Sequence, residues 1–320
     1  MSGNRPVGLP RVGVGVPNFG PRADPEAIVT IATAAERLGF DSVWTFERLL
    51  LPVMPDGTNP YGMPDHNGSV YDPLETLTWV AAHTRRIGLG TLVMDPLFQS
   101  PLVLARRLAT LDQLSGGRLV AGIGQGWMSE EFEAVAVPMA RRGAGFEEHI
   151  AAMRACWQPD PVEHLGRWYR IPRSRIGPKP VNGRVPLLIG GTTRPAIERA
   201  ARLGDGFAAV MMDWESLHSQ VAWFRDAGGK GPVVVRVNPE TVDAAEPRDP
   251  FTGPIPSVVD DVAQAGAAGV DVVVWDLNMA DLDVRRQVTI LEALASDLDP
   301  RPASSRSAIL AEWEARSSSR

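Results

Sequence analysis

Apolar positions along the chain fall into two alternating patterns. Short β-branched runs are each followed by a stretch whose apolar residues recur at helical spacing. The first run, VGVGVP (12–17), precedes a segment in which Ile28, Ile31, Ala35 and Leu38 share one helical face. Asp24 and Pro25 read as its N-cap and first helical residue, and Gly39 as its stop. The second run, DSVWT (41–45), leads through a Pro/Gly/Asn-rich stretch to a helix opening at Asp72-Pro73. Residues 49–71 are too long for a routine connection and are expected to form an active-site loop. The third run, IGLGTLVM (87–94), precedes a stripe of Leu102, Ala105, Leu108, Leu111 and Leu114 closed by Gly116-Gly117. The fourth, RLVAGIGQG (118–126), precedes helical patterns over 129–135 and 143–157, after which 158–184 is polar, Pro-rich and irregular and reads as a surface insertion. The fifth, VPLLIGG (185–191), leads into RPAIERAARLG, and the sixth, GFAAVM (206–211), into a helix through Leu217, Val221 and Phe224. The seventh, PVVVRVN (232–238), is followed by a helix at 256–268, and the eighth, VDVVVWDLN (270–278), by one at 281–297.

Eight strand–helix units predict an α/β fold, a single (β/α)8 TIM barrel over residues 1–300 with insertions after strands 2 and 4. Residues 301–320 read as a C-terminal tail, in which SSRSAILAEWEARSSSR is expected to form a short helix and a frayed end. A doubly wound open sheet is the competing topology. The even spacing of the runs, and the lack of residues for a second domain, weigh against it.

Composition narrows the function classes. An apolar fraction of 44% and a charged fraction of 22% suit a globular protein with a sizeable core. The net charge of −6, with both signs interspersed, offers no extended positive surface for a nucleic acid. The single cysteine, Cys156, sits among apolar neighbours at helical spacing and is expected to be a buried thiol. No segment approaches the roughly 18 uninterrupted apolar residues of a membrane helix, and the N-terminus lacks the apolar core of a signal peptide. A cytoplasmic protein acting on a small molecule, without a membrane or nucleic-acid partner, is expected, with a homodimer left open.

A barrel of this kind presents its ligand face just after each strand. There the sharpest feature is LLIGGTTRPAIERAARLGDG (187–206): strand, two glycines, two hydroxyl residues, helix. Free N–H groups at that helix start would form an anion site to which Arg194 could add charge-assisted bonds; an ordinary turn capped by Thr193 is the plainer alternative. GIGQGW (122–127) completes no dinucleotide fingerprint, and its glycines would let either a flat ring or Trp127 approach the fourth strand. Glu47 and Arg48 after the second strand could steer a proton or simply pair at the surface, and His66 in the long loop is placed to reach the mouth. No nucleophile elbow and no metal-ligand spacing is present, so an organic cofactor is the economical source of chemistry. Trp44, Phe46, Met94, Trp127, Met211 and Trp275 could line a pocket for it, or equally belong to the core.

The segment LATLDQLSGGRLVAGIGQGWMSEEFEAVAVPMARRGAGFEEHIAAMRA (108–155) closely resembles the luciferase-like monooxygenase family, especially its coenzyme F420-dependent branch. So do DSVWTFE (41–47), RIGLGTLVMDPLFQSPLVLAR (86–106) and PLLIGGTTRPAIERAARLGDGF (186–207). The resemblance implies a deazaflavin or flavin with its ring in the barrel mouth and its phosphate at the fifth strand–helix loop. It also implies a non-proline cis peptide at Leu92-Val93 bulging against the ring. The expected cofactor residues are Thr45, Leu92, Val93, Gly124, Gly126, Ile189, Gly190, Gly191, Thr192, Arg194 and Met211; the expected catalytic residues are Glu47, Arg48 and His66. Two departures stand out. Glu47 and Arg48 occupy positions where several F420-dependent relatives carry an Asp-His pair, and Trp127 stands where the sugar-phosphate dehydrogenase branch has a catalytic Glu. The expected activity is F420-dependent hydride transfer to or from a small organic substrate. The alternatives are an FMN-dependent monooxygenase using oxygen and a non-catalytic flavin- or partner-binding barrel.

Overall fold

The computed structural model describes residues 9–239, 242, 249–298 and 300. The first half runs β1 (Arg11–Gly15), α1 (Pro25–Leu38), β2 (Ser42–Thr45), α2 (Pro73–His83), β3 (Gly88–Thr91), α3 (Pro101–Ser115), β4 (Leu119–Ile123), α4 (Ser129–Ala134) and α5 (Ala144–Cys156). The second half runs β5 (Val162–Leu165), β6 (Arg170–Ser174), β7 (Leu187–Gly190), α6 (Arg194–Leu203), β8 (Gly206–Val210), α7 (Trp214–Asp226), β9 (Val233–Val237), α8 (Ile255–Ala267), β10 (Val272–Trp275) and α9 (Val284–Leu298). Eight of these strands close a parallel barrel in the order β1-β10-β9-β8-β7-β4-β3-β2, with the seam between β1 and β10 in the register Val12 to Val273. The eight alternating patterns of the sequence are therefore a (β/α)8 barrel. Among the described residues no helix is long and apolar enough to cross a membrane.

Local chemistry sets the ends of the elements. Asp24 accepts from the N–H groups of Glu26 and Ala27 at 2.8 and 3.0 Å, and Gly39 takes φ 87° to close α1, a conformation in which a side chain is strained. The strands read as continuous apolar runs because both of their faces are covered. Val43, Leu89, Ala121, Ile189, Phe207 and Val235 join the layer beneath the helices, while Trp44, Val120, Leu188, Ala208, Val234 and Val274 fill the barrel interior. Trp44 lies across that interior with its indole N–H donating to Ser42 Oγ at 2.8 Å. Neighbouring strands make room for it with glycine: a Cβ on Gly13 would fall 2.6 Å from the indole nitrogen, and one on Gly90 would collide with the ring.

The stretch 158–184 is more ordered than its sequence suggests. It holds the antiparallel β5–β6 hairpin, outside the barrel, with Val162 and Ile171 buried and their neighbours exposed. Its two strands are short, and flanking prolines and arginines hide that alternation in the sequence. The long connection from β2 to α2 carries only a short 3-10 turn at Asp65–Gly68. The predicted C-terminal helix at SSRSAILAEWEARSSSR lies outside the described residues. Cys156 is buried, its thiol directed at the Ala152 carbonyl 3.3 Å away.

Removing the Trp44 ring would leave a cavity in the one place that no helix can collapse to fill. Trp44→Ala is expected to cost about 3–5 kcal/mol, read as a lowered midpoint in urea denaturation; a loss below about 1 kcal/mol would show that the ring does not fill the barrel.

Candidate functional site

At the carboxyl ends of the strands lies a cavity of about 520 Å³. Its walls come from the residues after β2, β3, β4, β7 and β9, and from β8 itself. The Leu92–Val93 peptide is cis. Leu92 N–H still donates to Thr45 O on the β2 side at 2.9 Å, whereas Met94 N–H donates to Gly122 O on the β4 side at 3.0 Å. Val93 is thereby carried toward the mouth, where three glycines receive it. A Cβ on Gly124 would lie 2.7 Å from Val93 Cγ2, one on Gly190 3.2 Å from Cγ1, and one on Gly122 would strike the Thr91 carbonyl. Val93, Gly124 and Gly190 all line the cavity.

One side of the mouth is acidic. Glu47 Oε2 accepts the Asp95 backbone N–H at 2.6 Å, so the carboxyl after β2 is tied to the chain after β3. Burial pushes the Glu47 carboxyl up to about 8, reinforced by the nearby Asp95, Asp72 and Glu131 charges and opposed by the Asp95 N–H. Asp95 is buried too and is pushed up to about 7, chiefly by desolvation, with Arg142 pulling the other way. Asp95 Oδ1 accepts the Leu97 N–H at 2.9 Å, while Oδ2 is buried without a hydrogen-bond partner. Gly126, at φ 61°, gives that oxygen its space, because a Cβ there would collide with it. Arg48 lies over the Phe46 and Trp127 rings at 5.6 and 5.3 Å, with Nη1 3.8 Å from Glu131 Oε2. Glu131 Oε1 in turn accepts the Leu49 N–H at 2.8 Å. On the far wall Arg236 pairs with Asp276 at 2.6 Å and stacks over Phe46 at 4.8 Å.

The other side is backbone. Gly190, Gly191, Thr192 and Thr193 line the cavity at the start of α6, and Thr193 makes no side-chain cap bond to that helix, in contrast to the Asp caps of α1, α2 and α7. The positive dipole end of α6 therefore borders the cavity.

Of the expected residues, the structure brings Glu47, Arg48, Leu92, Val93, Gly124, Gly126, Gly190, Gly191 and Thr192 to this cavity. It does not bring the others. Arg194 points out and pairs with Glu198 at 3.0 Å, one turn along the same helix. Ile189 and Met211 belong to the layer under the helices. Ile189 alternates outward between Leu188 and Gly190, as strand geometry requires. Thr45 is buried beside β3, its Oγ1 3.4 Å from Gly90 O, on the opposite strand face from Trp44. His66 sits half-buried in the long loop, away from the cavity walls. The sequence reading gave no role to Asp95, Glu131, Arg142 or Arg236, although all four line the cavity. Asp95 directly follows the third apolar run, and Arg236 interrupts the seventh as its one charged residue. Glu131 and Arg142 reach the mouth from α4 and from the turn before α5, where position relative to a strand gives no signal.

A closed parallel barrel with such a mouth defines a (β/α)8-barrel enzyme. Residues 10–237 match the model of the luciferase-like monooxygenase family, and the chain belongs to that family of oxidoreductases. An uncharacterised protein of Mycobacterium bovis is 34% identical over 188 residues, 57% of this chain and 67% of its own. The F420-dependent glucose-6-phosphate dehydrogenase of Amycolatopsis mediterranei is 32% identical over 196 residues, 59% of this chain, and the match spans 53% of that relative's length. Among solved structures, monooxygenase RslO1 from Streptomyces bottropensis superposes with TM-score 0.76 at 23% identity, covering 91% of this chain and 99% of that one. An F420-dependent secondary alcohol dehydrogenase in complex with an F420-acetone adduct gives 0.73 at 17%, covering 89% and 98%. The oxygenating constituent of a Baeyer–Villiger monooxygenase from Pseudomonas putida, in complex with FMN, gives 0.67 at 15%, covering 91% and 98%. Relatives and structural neighbours thus use F420 or FMN.

The buried acid makes a prediction about stability. Glu47 ionises near 4.5 when exposed and at about 8 in the fold, so its protonated form is the one the fold tolerates. The stability it contributes is complete below about pH 4.5 and is lost as pH rises through about 8. Glu47→Gln keeps a carbonyl to accept the Asp95 N–H but cannot ionise. Calorimetric Tm values from pH 5 to 9 should show the variant gaining on the parent protein up to about pH 8 and then levelling. A constant difference across that range would place Glu47 in contact with water.

Proposed function

We propose that the protein is an F420-dependent oxidoreductase that transfers a hydride between the deazaflavin and a small organic substrate, with Glu47 as the proton-moving group. The observation that carries the reading is the pairing, in one cavity, of the uncapped start of α6 after Gly190–Thr193 with the Glu47 carboxyl, which burial pushes up to about 8. The fit to the cofactor is one of room and charge. Backbone N–H groups at the start of α6 would hold its phosphate, and the glycine-lined wall around Val93 leaves space for a flat ring. When bound, a deazaflavin supplies a two-electron hydride and needs the protein only to orient substrate and move one proton. Glu47 is protonated at neutral pH and donates that proton to the substrate oxygen during reduction. Leu92, Met94 and Phe98 exclude water from the acid, and Arg48 is held between Phe46 and Trp127 for substrate positioning. F420 is preferred to FMN because relatives 30% and 32% identical include enzymes named for F420.

Fluorescence titration with each cofactor is the direct test, and tight FMN binding with none for F420 would sink the reading. Gly190→Ala adds one methyl to the anion end, against a contact that Val93 can relieve by a small shift. It should weaken F420 binding by about tenfold, roughly 1.4 kcal/mol. Gly191 is a poorer probe because a Cβ there would meet Ala196 at 2.6 Å and disturb α6 itself. Glu47→Gln should lower kcat by about 100-fold or more with cofactor affinity unchanged, and reduction by the parent protein should slow above about pH 8. An unaltered kcat would remove Glu47 from the chemistry.

A further inference from the structure

The cations around the cavity are already engaged. Arg48 lies 3.8 Å from Glu131, Arg236 lies 2.6 Å from Asp276, and Arg142 Nε donates to the Gln125 carbonyl at 3.0 Å. Neither lysine of the chain, Lys179 or Lys230, is among the lining residues. A phosphorylated substrate on the acidic side would have to displace a carboxyl from its guanidinium and would lie beside the Glu131 carboxylate. A neutral substrate meets no such cost.

Trp127 supplies the complementary feature. Its ring lines the cavity yet is 49% exposed, so it is neither core nor free surface. Its orientation is fixed from two directions. Tyr61 meets it edge-on at 4.9 Å and 85°, and the Tyr61 hydroxyl donates to Glu130 Oε2 at 2.8 Å. The Arg48 guanidinium sits 5.3 Å from the ring centroid. A rigid indole with open area on a cavity wall is a platform for a second ring. We propose that the substrate is a neutral carbonyl compound bearing an aromatic ring, and that this ring rests on Trp127. The carbonyl half rests on the hydride-transfer reading above; the ring and the neutrality rest on Trp127 and the paired cations alone. The reaction balances with reduced deazaflavin as reductant: hydride goes to the carbonyl carbon, the Glu47 proton to its oxygen, and C=O becomes CH–OH.

Benzyl alcohol, the product-like neutral probe, and glucose 6-phosphate should be titrated calorimetrically into the protein, with F420 present and alone. Benzyl alcohol is expected to bind at least about tenfold more tightly. Trp127→Ala should weaken it about tenfold, and Trp127→Phe by no more than about threefold, while F420 affinity stays within about twofold in both variants. Equal or tighter binding of glucose 6-phosphate, or an unchanged benzyl alcohol affinity in Trp127→Ala, would overturn the proposal. Failure to bind F420 would refute the cofactor reading instead, and the titrations into the protein alone would still decide the seat of the ring.

Discussion

Val93 occupies the seat on which the mouth of the barrel is built. The chain after β3 bonds to β2 through Leu92 and to β4 through Met94, so the residue between them has no choice but to project inward. Gly124, just past β4, makes the room for it, since a Cβ there would lie 2.7 Å from Val93 Cγ2, and Gly190 on β7 adds a looser contact that a small shift relieves. That packing divides the barrel interior in two. Below it, Trp44, Val120, Leu188 and Val234 form an apolar core closed to water. Above it, the wall nearest Val93 is glycine at 124, 190 and 191 and alanine at 208 and 209, and the space that larger side chains there would fill is left as part of the cavity. The small residues placed opposite one inward-pointing valine thus open the floor of the cavity.

The same enclosure governs the acids. A carboxyl in water would ionise well below neutrality, and neither Glu47 nor Asp95 has a cation within ion-pair distance. Burial is the largest influence on both; the Asp95 charge adds to it at Glu47, and the Glu131 charge adds to it at Asp95. Glu47, pushed up to about 8, is therefore held protonated at neutral pH on the cavity wall, which is the condition for handing over a proton there. The opposite end reaches the complementary condition without any charged side chain, through uncapped N–H groups at α6. Positive potential from backbone at one end and neutralised carboxyls at the other fit a molecule with an anionic tail and an uncharged reactive head.

The barrel was legible because its signal is periodic and local. Each strand is buried on both faces and each helix on one, and these patterns survive in a single sequence. The site was legible only where it follows the strand ends. Glu47, Arg48 and the Gly190–Thr192 turn could be read that way, and all reach the cavity. Arg194 could not be placed from its type, because a guanidinium one turn from Glu198 satisfies its charge locally and turns away. Ile189 and Met211 depended on which side of a strand end faces inward, a matter decided by a single residue of register. Glu131 and Arg142 were invisible for the opposite reason: they reach the mouth across 82 and 17 residues of chain, to bond Leu49 and Gln125.

Those distant residues hold the long loop after β2 in place despite its having almost no regular structure, although none of its residues 49–71 lines the cavity. Its start is held where Leu49 donates to Glu131, its middle where Tyr61 donates to Glu130, and its end where Tyr71 N–H donates to the Asn18 carbonyl at 2.8 Å. Asn18 also donates to Phe46 O and accepts from Phe46 N, so the same side chain fixes the chain as it enters the loop. Two of the three anchors are adjacent residues of α4, a helix of one and a half turns that follows directly from the Gly126–Trp127 corner of β4. The loop and the Trp127 wall are therefore a single mechanical unit carried by α4. A shift of that short helix would move the loop, Arg48 and Trp127 together while leaving the Gly190 end in place. Of the two ends of the cavity, it is the one lined by Trp127 that the fold leaves adjustable.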